Sequence, residues 1–318
     1  MYESLKKRFT EQFGTKPGFV FSAPGRTEIG GNHTDHQHGC VLAGAVNLDT
    51  VAAVARSERG AIRVLSEGYP LCEVSLSELE AVPAEAGTTK ALIRGIAARF
   101  AALGHAPVAF DAYVTSTVLS GSGLSSSAAY EILVATIIDC FFGGGTLDPV
   151  ERAKVGQYAE NVYFGKPCGL MDQMGSSVGG AVAIDFADPA DPKVRTVPVD
   201  LNALGYALCI IDSGASHAAL TSEYASIPQE MGAVAAQFGR QVLREVDEAQ
   251  VLQSLPQLRE KLGDRSVLRA LHFFGENKRA GEQAALLTKG DFAAFLQKVQ
   301  DSGNSSYKFL QNVYANKT

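Results

Sequence analysis

The chain has 318 residues, a length typical of two domains, and its 46% hydrophobic and 19% charged content excludes a disordered chain. The net charge of −6, without any basic run, argues against a surface for nucleic acid or anionic membrane. The five cysteines are widely spaced and form no CxxC pair, which disfavours a disulfide framework or a zinc cluster. This cysteine usage indicates a reducing, cytoplasmic compartment.

The N-terminus carries an amphipathic pattern and no signal peptide. Leu5, Phe9 and Phe13 recur every four residues among charged neighbours, which predicts a surface helix. The longest apolar stretch, Ala128–Phe142, contains two acidic residues and is too short to span a bilayer. We therefore expect a soluble, cytoplasmic protein without a membrane partner.

Strand patterns dominate the first part of the chain and helical patterns the last, which predicts an α+β fold. A turn is predicted at Ala23-Pro24-Gly25, and Asp188–Pro198, rich in proline and aspartate, marks a domain boundary near residues 187–200. The predicted strands are Phe19–Ser22, Val41–Val46, Val51–Arg56, Ile62–Ser66, Phe110–Thr115, Gly179–Phe186 and Leu204–Asp212. The predicted helices are Thr89–Leu103, Ser126–Phe142, Asp148–Tyr163 (with Asp148 as N-cap) and most of the chain after Ser222.

The first segment with a chemical signature is Ser120–Ala129, which reads SGSGLSSSAA. Its glycines allow the backbone to approach an anion, and its serines can cap the helix that follows. The N-terminus of that helix offers N–H groups and partial positive charge to a phosphate. The segment matches neither the Walker A loop nor the Rossmann fingerprint. Taken alone, it fits an ordinary serine-capped loop equally well.

The second segment, Gly25–Gly39, concentrates polar side chains between two apolar strands. Asn32, His33 and Asp35 supply the hydrogen-bond donors and acceptors that a polyol needs. The order H-x-D-H-x-H in the same segment also admits a metal site, although it is not a familiar dinuclear hydrolase pattern. A solvated loop is the third interpretation of this segment.

The third segment runs from Glu160 through CGLMDQMGSS at Cys168–Ser177. A lone aspartate in a loop rich in glycine and serine is often only a turn former. A functional interpretation of Asp172 therefore depends on the two segments that precede it.

In this order and spacing, the three segments resemble the galactokinase branch of the GHMP small-molecule kinases. Gly25–Gly39 matches the sugar-binding signature usually written GRxNxIGEHTDY. Val118–Glu131 matches the glycine/serine phosphate loop, and Cys168–Gln173 matches the CGxMDQ segment. The match extends over nearly the whole chain, to about Tyr314, and it disfavours the metallohydrolase interpretation.

The resemblance implies a two-domain GHMP kinase fold of the α+β class. Residues 1–190 would form a domain similar to ribosomal protein S5, with the phosphate loop and the catalytic aspartate. Residues 191–318 would form a ferredoxin-like α/β domain. The implied reaction is in-line transfer of the γ-phosphoryl group of ATP to the anomeric hydroxyl of galactose. The implied partners are therefore galactose and ATP, without nucleic acid, and we expect a monomer.

The resemblance also implies the roles of individual residues. Asp172 would be the base, and Arg26 would hold it ionised and stabilise the transferred phosphoryl group. Ser127 and Glu160 would hold Mg²⁺, a cation that prefers oxygen ligands. The implied sugar contacts, expected in a cleft between the domains, are Asn32, His33, Thr34, Asp35 and Tyr224. The implied nucleotide contacts are Ser66, Gly121, Ser122, Gly123, Leu124, Ser125, Ser126 and Ser127.

The sugar-binding signature is not matched at every position. Asn32 stands in place of the usual Glu, Glu28 in place of Asn and His36 in place of Tyr. We interpret these changes as altered specificity, because Arg26 and Asp172 are intact. The alternatives are therefore a kinase for a related sugar, such as N-acetylgalactosamine or arabinose, and a non-catalytic sensor that binds sugar and ATP.

A second departure lies near the end of the chain. The family carries a third, TGAGFGG-like motif, and no such motif occurs before Thr318. We therefore expect the final segment of the C-terminal domain to be missing and this 318-residue form to have reduced or no activity.

Overall fold

The structure is a computed structural model that describes residues 2–106, 108–119, 121–211 and 221–314. The chain divides into two compact units. The first comprises Met1–Thr27 and Ala45–Gly179, and the second comprises Glu28–Gly44 and Gly180–Thr318. The assignment of residues 1–190 and 191–318 to the two kinase domains stays a prediction.

Helices and strands both contribute to the described residues, as the α+β expectation requires. The strands are β1 Phe19–Gly30, β2 Cys40–Arg56, β3 Ala61–Ser66, β4 Cys72–Ser75, β5 Phe110–Ser116, β6 Ala181–Asp185 and β7 Lys193–Val197. The helices are α1 Tyr2–Phe13, α2 Thr89–Ala102, α3 Ser126–Ile138, α4 Pro149–Tyr158, α5 Met171–Val178, α6 Thr221–Ala236, α7 Glu248–Gln253, α8 Leu255–Lys289 and α9 Phe292–Ser305. Short π-helical segments continue α3, α4 and α9, at Asp139–Gly143, Ala159–Phe164 and Ser306–Leu310.

In the first unit, four strands pair in the order β4-β3-β5-β2, with β3 and β5 parallel and the other pairs antiparallel. Successive side chains of a strand face opposite sides of a sheet. One side of this sheet packs with α2 and α3 in the main core, around Ile93, Phe100 and Phe110. The other side buries Leu5 and Phe9 of α1, which confirms the amphipathic N-terminal helix.

In the second unit, the first residues of β2 pair antiparallel with β6, and β6 pairs antiparallel with β7. One core cluster contains Leu42 of β2 with Leu287 of α8 and Phe295 of α9. A separate cluster joins α6 and α8 around Met231 and Phe273. The helical pattern predicted after Ser222 is therefore confirmed by α6 to α9.

Several sequence predictions of strands are corrected by the structure. β1 continues through the predicted turn at Ala23-Pro24-Gly25, which is compatible with proline because β1 pairs only with β2 among the described strands. β2 is one strand across the gap predicted between Val46 and Val51. β4 was not predicted, and β7 lies within the segment predicted as a proline- and aspartate-rich boundary.

The strand predicted at Leu204–Asp212 is wrong over the residues that the structure describes. Leu204–Ile211 forms a turn and then irregular chain, while Asp212 lies outside the described residues. The apolar pattern satisfies the strand rule, but a strand also needs a hydrogen-bonded neighbour. None of the described strands pairs with this segment.

One helical stretch in the described part of the chain, Ser126–Gly143, has the length and composition of a membrane span. Of this stretch, 61% is buried inside the protein, as in a core helix of a folded domain. Its side chains Leu133, Ile137 and Ile138 belong to the main core of the first unit.

Candidate active site

The carboxylate of Asp172 is held by two side chains from distant parts of the first unit. Arg26 places Nε at 2.8 Å and Nη2 at 2.7 Å from Oδ1, and the Ser125 hydroxyl donates to Oδ2 at 2.5 Å. The Asp172 side chain is 36% exposed, so the fixed carboxylate stays accessible. Asp172 lies in the first turn of α5, which corrects the expectation that it sits in a loop.

Arg26 also contacts the glycine/serine loop. Its Nη1 donates to the carbonyl oxygen of Gly123 at 2.9 Å, and its backbone N–H donates to the carbonyl oxygen of Leu124 at 3.1 Å. Gly123 has a left-handed φ of 77°, which glycine adopts without strain. A Cβ at Gly25 would lie 3.0 Å from the Leu124 carbonyl oxygen, so a side chain there would crowd this contact. One arginine therefore fixes both the carboxylate and the loop.

Ser125 precedes α3 in a left-handed conformation, with φ of 54°, and its side chain makes no capping hydrogen bond. The expectation that the serines cap this helix is therefore wrong for Ser125, because its hydroxyl is directed to Asp172. The N-terminus of α3 thus keeps N–H groups that Ser125 does not satisfy. Such a helix end, preceded by a glycine-rich turn, suits an anion such as phosphate.

Two further predicted nucleotide contacts, Ser66 and Ser127, lie near α3. Ser66 is the last residue of β3 and lies beside Tyr130, whose phenol has a raised pKa because of burial. Ser127 is in the first turn of α3, one helical turn before Glu131 and on the same face. The remaining predicted nucleotide contacts, Gly121, Ser122 and Ser126, lie in the loop or begin α3, while Ser120 lies outside the described residues.

Gln173, the residue after Asp172, bridges two buried glutamates. Its Nε2 donates to Glu131 Oε2 and to Glu160 Oε2, both at 2.9 Å. The other oxygen of Glu160 pairs with Lys166 Nζ at 3.1 Å. Burial and the charge of Glu160 raise the pKa of Glu131 to about 8, so Glu131 carries a proton at neutral pH. Neither Glu131 nor Gln173 was predicted from the sequence as a site residue.

The hydroxyl of Ser127 and the carboxylate of Glu160 are oxygen donors that fit a hard cation such as Mg²⁺. Within the described residues, no three His, Cys, Asp or Glu side chains are grouped to hold a metal ion by themselves. Mg²⁺ commonly binds through one or two protein oxygens together with substrate phosphates. Ser127 and Glu160 are oxygen donors of the kind that this mode uses, and both oxygens of Glu160 already have partners, Gln173 Nε2 and Lys166 Nζ.

The predicted sugar-binding residues belong to the second unit. Asn32 Nδ2 donates to Ser306 Oγ at 2.9 Å. The hydroxyl of Thr34 lies 2.6 Å from the carbonyl oxygen of Cys40 and 2.8 Å from that of Gly31, and Thr34 is fully buried. Asp35 begins the short 3₁₀ turn Asp35–Gln37. This turn and Asn32 therefore share one compact loop.

A cleft of about 180 Å³ lies beside this loop in the second unit. It is lined by His33, Tyr224 and Arg269 together with Gln311–Tyr314, among others. The ring of Tyr224 lies 5.7 Å from that of His33, so the structure brings these two predicted sugar contacts together. Arg269 also lines the cleft and was not predicted from the sequence as a site residue.

His33, which lines the cleft, forms a pair of neutral imidazoles with His36. His36 Nε2 lies 3.4 Å from His33 Nδ1. Burial lowers the pKa of each ring to about 4. Electrostatic repulsion from His36 lowers the pKa of His33 further, and repulsion from His272 does the same for His36. Neutral imidazoles offer one donor and one acceptor each, which suits the hydroxyl groups of a sugar.

Glu131 gives a pH prediction for stability. Its pKa is raised on folding, so the folded state binds the proton more tightly than the unfolded state. The stability that this proton contributes is complete below about pH 4.5 and is lost as the pH rises through about 8. We expect the free energy of unfolding to fall less between pH 5 and pH 8 in Glu131→Gln than in the wild type, measured by urea denaturation. The exposed Glu58→Gln is the control, and equal pH slopes in wild type and Glu131→Gln would contradict this assignment.

Two family models match the chain. The galactokinase galactose-binding signature matches residues 7–56, and the N-terminal domain of GHMP kinases matches residues 91–180. The galactokinase of Streptomyces coelicolor is 35% identical over 293 residues, which cover 92% of this chain and 74% of that protein. The galactokinase of Homo sapiens is 33% identical over 312 residues, covering 94% of this chain and 76% of that protein.

Solved structures share the fold. The Lactococcus lactis galactokinase complexed with galactose has a TM-score of 0.78 at 22% identity, covering 98% of this chain and 80% of that one. The Streptococcus pneumoniae phosphomevalonate kinase, in complex with phosphomevalonate and AMPPNP, has a TM-score of 0.59 at 13% identity, covering 93% of this chain and 82% of that one. The α+β two-domain GHMP kinase fold is thereby confirmed. With a galactokinase 35% identical over 74% of its length, the chain belongs to the galactokinase family of the GHMP kinases.

Proposed function

We propose that this chain transfers the γ-phosphoryl group of ATP to the anomeric hydroxyl of galactose, giving the 1-phosphate. The observation that carries the proposal is the Asp172 carboxylate, held by Arg26 and Ser125 beside the glycine/serine loop. The galactose-binding signature at residues 7–56 and the galactokinase relatives support the choice of sugar. ATP is the phosphoryl donor that kinases of this family use.

In the proposed mechanism, Asp172 is the base. An oxygen of its carboxylate accepts the proton of the anomeric hydroxyl while the hydroxyl oxygen attacks the γ-phosphorus. The bond between the γ-phosphorus and the bridging oxygen breaks, and ADP leaves. Arg26 orients the carboxylate and supplies positive charge where the transferred group gains negative charge.

The triphosphate is proposed to lie on the loop Gly121–Ser127. The glycines allow close backbone approach, and the N-terminus of α3 supplies N–H donors and partial positive charge. Ser127 and Glu160 would hold Mg²⁺, which neutralises phosphate charge when bound. Gln173 and Lys166 fix the two oxygens of Glu160, so this carboxylate is already oriented.

The sugar site is proposed to include His33, Asp35 and Tyr224 with Asn32. Since the Asn32 amide nitrogen donates to Ser306, its carbonyl oxygen can accept from a sugar hydroxyl. That oxygen is neutral, whereas the family usually has a carboxylate at this position. This difference is the observation that favours a second candidate, a kinase for a related sugar such as N-acetylgalactosamine or arabinose.

A sugar panel separates the candidates. We expect ADP release by this chain to depend on galactose and to be at least about tenfold slower with N-acetylgalactosamine, glucose or arabinose. The reason is that one mismatched hydroxyl leaves a polar group of the site unpaired, which costs about 1–3 kcal/mol. A faster rate with another sugar would contradict the assignment of galactose. Because this 318-residue form is expected to have reduced or no activity, the panel is also run on a form that carries the family's third motif. Binding of ATP and galactose without turnover of any sugar by either form would favour the sensor.

The Asp172→Asn substitution tests the base. Asparagine keeps the size of the side chain but cannot take the proton, so we expect kcat to fall at least about 100-fold. We expect the Kd for galactose, measured by calorimetry, to stay within a few-fold of wild type. The exposed Asp188→Asn is the matched control and should retain wild-type kcat. Wild-type turnover in Asp172→Asn would contradict the role of this carboxylate.

A further inference from the structure

Three buried side chains hold the loop that carries His33: two bind its backbone at Gly31 and Asn32, and one binds the Asn32 side chain. The Gly31 N–H donates to Glu276 Oε1 at 3.1 Å, and the Asn32 carbonyl oxygen lies 2.9 Å from His272 Nε2. The Asn32 side chain donates to Ser306 Oγ at 2.9 Å. Glu276 and His272 are fully buried and Ser306 is 6% exposed. We call Glu276, His272 and Ser306 the Asn32 clamp.

The geometry fixes the protonation of His272. A carbonyl oxygen can only accept, so Nε2 carries the hydrogen that is donated to Asn32. Nδ1 is then an acceptor, and it lies 2.9 Å from the Ser305 hydroxyl, which donates to it. Burial lowers the pKa of His272, in keeping with a neutral ring. His272 therefore has both ring nitrogens satisfied and is locked in one orientation.

Glu276 is locked in a similar way. Its Oε2 accepts from Arg279 Nε at 2.9 Å, and the Ser302 hydroxyl donates to Oε1 at 2.5 Å. The clamp residues lie on α8 and on the π-helical segment that follows α9, and His272 and Glu276 are themselves held by side chains of α8 and α9. Such support allows a loop to keep a geometry that its own sequence does not favour.

The loop needs that support. His33 has φ of 58°, a left-handed conformation that costs free energy for a residue other than glycine. This conformation follows immediately after the clamped Asn32 carbonyl and places His33 in the lining of the cleft beside Tyr224. A rotation of the 32–33 peptide would break the hydrogen bond to His272 and take His33 out of this left-handed conformation.

We propose that the Asn32 clamp is the positioning device of the sugar site: His272 sets the 32–33 peptide so that His33 faces the cleft, and Ser306 sets the Asn32 amide. The proposal rests on the proposed function, because it names the residues that orient the sugar contacts. His272 and Ser306 act through Asn32 and are positioning residues for sugar binding. They have no expected role in holding the nucleotide.

The test compares His272→Leu with His272→Gln and adds Ser306→Ala. Leucine removes the donor, whereas glutamine offers an amide N–H to the Asn32 carbonyl and can rescue it. We expect the Kd for galactose, measured by calorimetry, to rise at least about tenfold in His272→Leu and Ser306→Ala and to recover in His272→Gln. The Kd for ATP should stay within about twofold. Ser266→Ala is the matched control, since it removes a buried hydroxyl of α8 that donates within its own helix.

A second readout does not depend on the sugar. Hydrogen exchange of the peptide covering residues 28–40 should be faster in His272→Leu than in wild type, and its rate should return to the wild-type value in His272→Gln. Unchanged exchange and an unchanged galactose Kd in folded His272→Leu would overturn the clamp, as would equal weakening of galactose and ATP binding. Failure of the wild type to bind galactose, with the expected exchange pattern, would overturn the proposed function and leave the clamp supported.

Discussion

The Arg26–Asp172 ion pair is the interaction on which the account of the first unit depends. One guanidinium contacts the carboxylate of Asp172 and the carbonyl of Gly123, so it couples the proposed base to the loop proposed to hold phosphate. Ser125 completes this arrangement from the other side of the carboxylate. Three segments far apart in sequence therefore depend on one another for their geometry, and the proposed chemistry requires the same geometry.

Buried polar groups recur in both units, and in each case they fix a residue proposed to act on a ligand. In the first unit, Gln173 bridges a protonated Glu131 and the charged Glu160, which orients Glu160 without placing two negative charges side by side. In the second unit, Glu276 and His272 hold the backbone around Asn32. Burying such groups is unfavourable unless each is hydrogen-bonded. In the second unit, both polar atoms of His272 and of Glu276 have partners, so that network tolerates few alternative arrangements. In the first unit, Glu131 Oε1 and Gln173 Oε1 are buried without a hydrogen-bond partner among the described residues.

The sequence predicted those features that local patterns determine. The helices at Thr89–Ala102 and Pro149–Tyr158 follow from apolar spacing and from the N-cap at Asp148, which the structure confirms through its bond to the Val150 N–H. The three motifs also predicted the family. Local patterns failed where partners lie far away in sequence. Strand formation at residues 204–211 would depend on a neighbouring strand, and none of the described strands pairs with this segment.

In the site, too, some features follow from local sequence and others depend on contacts between distant residues. The pairing of Arg26 with Asp172 was expected from the motifs, whereas the direction of the Ser125 hydroxyl depends on a contact 47 positions away. Glu131 had a signal, a charged residue in an apolar helix, that was not interpreted as part of the site. The contact of His272 with Asn32 spans 240 positions, and nothing in either local sequence indicates it.

The most direct test of the central claim is the kcat of Arg26→Lys for galactose-dependent ADP release, measured together with the Kd for galactose. Lysine keeps the positive charge but cannot contact the Asp172 carboxylate and the Gly123 carbonyl in the same fork. The account predicts a fall in kcat of at least about 100-fold, with galactose binding within a few-fold of wild type. A wild-type kcat in Arg26→Lys would contradict the claim that this arginine couples the base to the phosphate loop.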